Sequence, residues 1–278
     1  MKFSNGCWLQ KEGCGCFAPQ EAYFTKIEER KVTICAPTVH ITQRGDTLGG
    51  VNLTLEITSP APDILRVRIY HYKGEITDTP SFELELTQEL PLEVDDNEEE
   101  IRITSGTLTL VITKKNWSMT YVRNGEVITK SAGKDLALMK TDFTGFAYNT
   151  TDSEETYMRQ MLSLSVGELV YGMGERFTPF VKNGQSVDMW NADGGTSTEQ
   201  SYKNIPFYIT NKGYGVLVNH SEMVSFEVAT EMVTRTEFSV KGGYLDYFLI
   251  NGPTMKEVLE RYTDLTGKPS LPAPWTFG

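Results

Sequence analysis

The sequence predicts an all-β fold of two packed antiparallel sheets, with one helix close to its C-terminal end. Three observations carry this. Apolar residues recur with period two along many short segments, as in Leu53, Leu55 and Ile57 against Thr54 and Glu56, or Leu65, Val67 and Ile69 against Arg66 and Arg68. Turn chemistry separates several of them: Asn124-Gly125 is a type I′ hairpin signal, and Asn211-Lys212-Gly213 marks another tight turn. No βαβ rhythm and no internal repeat is visible, and strands apolar on one face require a second sheet to bury that face.

Taken in order, Ile101 and Ile103 lead through Gly106 into the run Leu108-Thr109-Leu110-Val111-Ile112. Further strands are expected at 118–123, 207–210, 214–218, 224–228, 236–240 and 244–250. The helix follows, because Met255, Val258, Leu259, Tyr262 and Leu265 recur at helical spacing. Pro253 suits its first turn, Thr254 and Glu257 resemble a capping box, and Gly267 with Pro269 stops it. Beyond it Pro269, Pro272 and Pro274 make a stiff, extended connection. The closing Trp275-Thr276-Phe277-Gly278 reads as the opening of a new strand, so the chain is expected to stop just past a domain boundary.

The totals narrow the function. A length of 278 residues suffices for one large sandwich, and a net charge of -11 disfavours nucleic acid and anionic membranes, which recruit clustered Lys and Arg. No run of 18 apolar residues is present, and Met1–Cys7 has no apolar core of a secretory signal, so a cytoplasmic location is expected. Cys7, Cys14, Cys16 and Cys35 contain no C-x-x-C pair and read as partly buried thiols. The acidic run Asp95-Asp96-Asn97-Glu98-Glu99-Glu100 does not match a calcium-loop spacing and reads as a solvated turn. Neither a metal nor a cofactor is expected.

The segment from Val170 to Phe207 carries the chemistry. In Tyr171-Gly172-Met173-Gly174-Glu175-Arg176-Phe177 two glycines interrupt a strand pattern, which marks a bulge or a close backbone approach. The following stretch from Asn183 to Tyr202 lacks periodicity and is rich in hydrogen-bonding side chains. Trp190, Asp193, Gln200 and Tyr202 together offer an aromatic face for sugar C–H surfaces and polar groups for hydroxyls. The same composition also fits a surface loop in which Asp193 merely stabilises an Asp-Gly turn, and the residues alone leave both open. A glycosidase needs two carboxyl groups, roughly 5–5.5 Å apart when it retains configuration. Nothing in the sequence singles out such a pair.

At Tyr171–Arg176, Trp190–Tyr202 and Gly252–Gly278 the sequence resembles glycoside hydrolase family 31, most closely its bacterial α-xylosidases. The resemblance runs from Asn5-Gly6-Cys7-Trp8-Leu9 to the closing Trp275-Thr276-Phe277-Gly278, and the stretch Gly194–Phe207 is long and irregular enough to make chance a poor account. It implies a β-sandwich of the galactose-mutarotase type over residues 1–250, an exit helix over 251–268, and over 269–278 a linker with the start of an absent (β/α)8 barrel. That barrel would carry both catalytic aspartates, leaving no catalytic residue in this chain and making it inactive alone. It also implies a loop reaching over the barrel's active site, with Asp193, Asn191 and Trp190 as the substrate-binding residues. The chain departs from the family's Asn-Arg-Asp-type motif at Ala192. The implied partners are an α-linked xylose- or glucose-containing oligosaccharide and the chain's own C-terminal barrel. The competing readings are a carbohydrate-binding module, a homo-oligomerisation domain and, more remotely, an aldose epimerase using His40, His71 or His220.

Overall fold

The computed structural model describes residues 1–6, 9–48, 50–76, 80–86, 88–141, 155–192 and 198–277. In chain order the strands are β1 (Gly15–Phe17), β2 (Phe24–Glu28), β3 (Lys31–Pro37), β4 (Asn52–Ala61), β5 (Ile64–Tyr70), β6 (Glu93–Asp96), β7 (Glu100–Ser105), β8 (Leu108–Thr113), β9 (Ser118–Arg123) and β10 (Glu126–Ala132). They continue as β11 (Leu136–Lys140), β12 (Thr156–Ser163), β13 (Val170–Gly172), β14 (Gln185–Met189), β15 (Phe207–Thr210), β16 (Tyr214–Val218), β17 (Val224–Val228), β18 (Arg235–Lys241) and β19 (Tyr244–Asn251). The helix α1 (Met255–Thr266) comes last.

These strands form two layers. One is an eight-stranded sheet in the order β13-β15-β16-β19-β5-β4-β3-β2. The other consists of a six-stranded sheet, β1-β11-β12-β18-β17-β14, and a five-stranded one, β10-β9-β8-β7-β6. The two smaller sheets adjoin where β10 meets β12: Thr129 Oγ1 donates to the Ser163 carbonyl at 2.9 Å, and the Lys130 amide to Ser163 Oγ at 2.9 Å. All the strand pairs are antiparallel, as the hairpin signals implied. Asn124 and Gly125 turn between β9 and β10 with φ of 49° and 87°, the two positive values a type I′ turn demands.

One continuous apolar core fills the space between the layers, because period-two alternation sends every second side chain inward. Leu65, Val67 and Ile69 of β5 meet it beside Leu245, Tyr247 and Leu249 of β19. Across it, the Tyr121 and Tyr247 hydroxyls hydrogen-bond at 2.8 Å, and the Phe238 ring lies 5.2 Å from that of Tyr247.

The alternate residues of the eight-stranded sheet face outward, and those of β15, β16 and β19 are covered by α1. Phe207, Ile209, Leu217, Phe248 and Ile250 pack there against Val258 and Leu265, and Tyr262 stacks on Phe207 with ring centres 4.0 Å apart. The Thr254 hydroxyl caps the helix by accepting from the Glu257 amide and donating to its carboxylate at 2.6 Å, and Gly267 ends it at φ 89°.

Three local expectations change in detail. Residues Gln185–Met189, read as aperiodic loop, form the edge strand β14 paired with β17. Only Val187 and Met189 point inward, too short an alternation to register in the sequence. Pro274–Phe277 forms a 3-10 turn instead of the extended start of a strand. A strand needs a neighbour for its backbone groups, whereas the turn closes locally through the Thr276 amide and Ala273 carbonyl at 2.9 Å. The acidic run straddles the β6–β7 turn, where Asn97 Oδ1 accepts from the Glu99 and Glu100 amides and Asp96 pairs with Lys114 at 2.6 Å.

Candidate functional site

The site is built outward from the two glycines. Leaving β13, the chain passes Gly172 at φ 105°, Met173 at 69° and Gly174 at 85°, three successive left-handed residues. This curl presses the backbone against the strand entry at 203–207. A Cβ on Gly174 would stand 2.0 Å from the Lys203 carbonyl oxygen, and one on Gly172 2.8 Å from that of Phe207. The close approach expected from the Gly-Met-Gly pattern is therefore present. The Glu175 amide then donates to the Lys203 carbonyl at 3.0 Å, and the Ser201 hydroxyl to the Glu175 carbonyl.

That path delivers Arg176 beneath the loop. Its Nε donates to the Met173 carbonyl at 3.1 Å, Nη1 to the Glu199 carbonyl at 2.9 Å, and Nη2 to the Asp188 carbonyl at 3.0 Å and to Asn204 Oδ1. Burial lowers the Arg176 pKa, only partly offset by Asp188 and Glu199, but a guanidinium keeps its charge throughout the working range. Nearby, burial and the Arg176 charge lower that of Lys182, whose Nζ donates to the Pro179 carbonyl at 2.8 Å.

The loop stems are laced together above this point. Asn191 and Ser201 form a bridge, the Ala192 amide donates to the Ser201 carbonyl at 3.1 Å, and Asn204 Nδ2 donates to Asn191 Oδ1 at 2.8 Å. Of the three sequence-predicted binding residues, Trp190 and Asn191 stand together and exposed, on the rim of a cavity of about 270 Å3 shared with Phe82, Asn204, His220 and Glu222. Asp193 lies outside the described residues. Gln200 and Tyr202 line a different cavity of about 470 Å3, with Phe177, Arg176 and the Glu175–Lys203 ion pair of 2.6 Å. The stems thus divide two cavities, each offering an aromatic ring and hydrogen-bonding groups, the means by which proteins hold a sugar. Sequence reading assigned Arg176, Phe177 and Asn204 no role of their own, and His220 entered only as an epimerase candidate. The first three lie within the motif segments already singled out, but only folding shows which backbone groups Arg176 and Asn204 meet.

The histidines do not share a site. His40 Nδ1 lies 3.0 Å from Glu21, and His71 Nδ1 lies 3.0 Å from the Asn52 carbonyl, which makes it the protonated nitrogen. His220 Nε2 accepts from the Asp246 amide at 2.9 Å, which leaves the proton on Nδ1, 3.2 Å from Glu222. His71 lies one residue past the end of β5 and is satisfied by the Asn52 carbonyl. Among the described residues no three His, Cys, Asp or Glu side chains converge in a metal-binding arrangement.

Comparison with known proteins bears on the whole chain. Alpha-xylosidase XylQ of Lactiplantibacillus pentosus is 42% identical over 280 residues, aligned to 100% of this chain and 35% of its own length. An alpha-xylosidase of Emericella nidulans is 38% identical, aligned to 100% of this chain and 37% of its own. The chain thus spans little more than a third of these curated relatives. Among solved structures, the cycloalternan-forming enzyme from Listeria monocytogenes, in complex with a pentasaccharide substrate, superimposes with a TM-score of 0.76 at 21% identity over 95% of this chain and 24% of its own. An α-xylosidase from a soil metagenome gives 0.64 at 18% identity over 90% of this chain and 35% of its own. These superpositions establish the fold. Residues 54–227 match the glycosyl hydrolase 31 N-terminal galactose mutarotase-like domain, and the chain belongs to that family.

Proposed function

We propose that this chain is the N-terminal sandwich of a retaining α-xylosidase, lending a substrate-contacting loop to a (β/α)8 barrel that carries both catalytic carboxylates. The observation that carries the reading is the braced loop at Trp190–Tyr202, whose stems are cross-linked by Asn191, Ser201 and Asn204 and held from below by Arg176. So much bracing around exposed polar and aromatic side chains suits a loop that must hold its shape over a ligand. Both the Lactiplantibacillus pentosus and the Emericella nidulans relatives, aligned along the whole chain, are alpha-xylosidases, which favours xylose over glucose at the cleaved bond.

In this reading residues 1–250 form the supporting sandwich, 251–268 the exit helix and 269–278 the connection to the barrel. Trp190 offers its ring to a sugar face, Asn191 positions the loop, and Asp193 hydrogen-bonds substrate hydroxyls. The substrate is an α-linked xylose- or glucose-containing oligosaccharide, held where the loop overhangs the barrel. The half-buried thiols Cys16 and Cys35 suit the cytoplasm, where thiols stay reduced. The test is Asp193→Ala in the barrel-bearing protein. One lost charged hydrogen bond to the transition state should lower kcat/KM on an α-xyloside by about 1.5–3 kcal/mol equivalent. Full retained efficiency would make the loop a structural feature.

A further inference from the structure

Resting on that reading, we infer that Arg176 is the positioning residue of the substrate loop, a guanidinium clamp that fixes the geometry of Trp190 and Asn191 without touching the sugar. The loop leaves the sandwich at the end of β14 and returns through Ser201 to Asn204. Arg176 binds both sides. Nη2 takes the Asp188 carbonyl on the outgoing stem, and Nη1 takes the Glu199 carbonyl on the returning one. Nε takes the Met173 carbonyl within its own turn, which anchors the clamp to the strand scaffold. Nη2 also reaches Asn204 Oδ1, and the Asn204 amide nitrogen passes the restraint to Asn191 Oδ1 at 2.8 Å and to the Ser201 carbonyl at 3.0 Å.

The residue type matters. Three of the four acceptors are fixed carbonyls pointing at one place from separate segments, and only a planar fork with five donors can serve them together. An ammonium has three donors on a single centre and must abandon some of them. Losing the guanidinium would remove the group that ties both stems to the Met173 turn; the exposed Asp188 and Glu199 carbonyls would turn to water, and the stems would part more readily. The Gly172-Met173-Gly174 curl is then explained as well, since it is the curl that brings residue 176 under the loop. A clamp of this kind acts on the fraction of molecules with the loop in its competent shape, so it scales apparent substrate affinity and transition-state binding together.

The test compares Arg176→Ala, Arg176→Lys and Asp193→Ala. In the 278-residue chain, amide exchange at Ala192 and its neighbours in 188–204 should quicken at least about tenfold in both Arg176 variants. Amides of β9 and β19 serve as the folding control and should stay protected. In the barrel-bearing protein, kcat/KM on an α-xyloside should fall about 10- to 100-fold in both, with KM rising, and Lys should not rescue. Unchanged exchange around Ala192 overturns the clamp, as does full activity or rescue by Lys while Asp193→Ala is impaired. Global loss of protection in both variants overturns it too, since Arg176 would then be a general stabiliser. If exchange quickens locally but no variant, Asp193→Ala included, loses activity, the substrate-facing reading itself fails.

Discussion

At Asp63 one buried carboxylate joins four parts of the chain. It sits between β4 and β5 at φ 65° and accepts from the Thr107 amide and hydroxyl at 2.8 and 2.6 Å, from Asn251 Nδ2 at 3.2 Å and from Arg261 Nη2 at 2.8 Å. Burial pushes its pKa up, but the Thr107 and Asn251 hydrogen bonds and the Arg261 charge outweigh it and hold the carboxyl below its usual value. A depressed folded pKa adds stability above the unfolded value near 4 that disappears as the pH falls through the folded one. Removal takes away the charged hydrogen bonds to Thr107, Asn251 and Arg261, while Arg261 keeps the Asn251 carbonyl, so Asp63→Ala should cost about 1.5–3 kcal/mol at neutral pH. Asp63→Asn, which tolerates the left-handed backbone, should cost less, and urea unfolding at pH 7 and pH 3 separates the two effects. Glu237 behaves oppositely. It is buried on β18 with neither carboxylate oxygen hydrogen-bonded, and desolvation raises its pKa to about 8. Its penalty on folding therefore grows as the pH rises from the unfolded value near 4.3 towards 8. Glu237→Gln should leave stability almost unchanged at pH 4 and raise it at pH 9 by about 2 kcal/mol or more, read from thermal unfolding at the two pH values.

Among the elements, the curl after β13 is the part that positions the site, and the helix α1 covers the sheet beside it. At Gly174 a side chain meets both a left-handed backbone and the Lys203 carbonyl, whereas at Gly184, with φ 86°, a Cβ has open space. Gly174→Ala should therefore destabilise by about 2 kcal/mol or more, and Gly184→Ala by about 1 kcal/mol, the backbone strain alone. Denaturant midpoints would show the difference. Sequence reading is strongest at this scale: the spans 207–210, 214–218 and 224–228 match β15, β16 and β17, because alternation and flanking turns agree there. The helix bounded by Thr254 and Gly267 is equally legible, since cap, stripe and stop coincide. The strand β14 is not, as two inward side chains on a sheet edge leave too little pattern. Arg176 escapes for another reason. Its partners are backbone carbonyls of distant segments, and carbonyls have no sequence signature.

Over the whole molecule, the two layers are locked through side chains remote from the loop. The Tyr121–Tyr247 hydroxyl pair crosses the core from β9 to β19 with both rings fully buried. Tyr121→Phe alone leaves one buried hydroxyl without a partner and should cost about 1–3 kcal/mol, while adding Tyr247→Phe should recover much of that loss. A double-mutant cycle by urea unfolding checks the sign. The sandwich supplies rigidity, the Gly-Met-Gly curl supplies direction, and the braced loop presents the groups that suit a sugar. In the proposed function the chemistry of bond cleavage belongs to the barrel. The most direct measurement is hydrolysis of a chromogenic α-xyloside, beside an α-glucoside, by the 278-residue chain and by the same sequence joined to its barrel. Turnover is expected only in the barrel-bearing protein, and faster on the xyloside. Turnover by the 278-residue chain itself would contradict this and require a carboxylate pair within the sandwich.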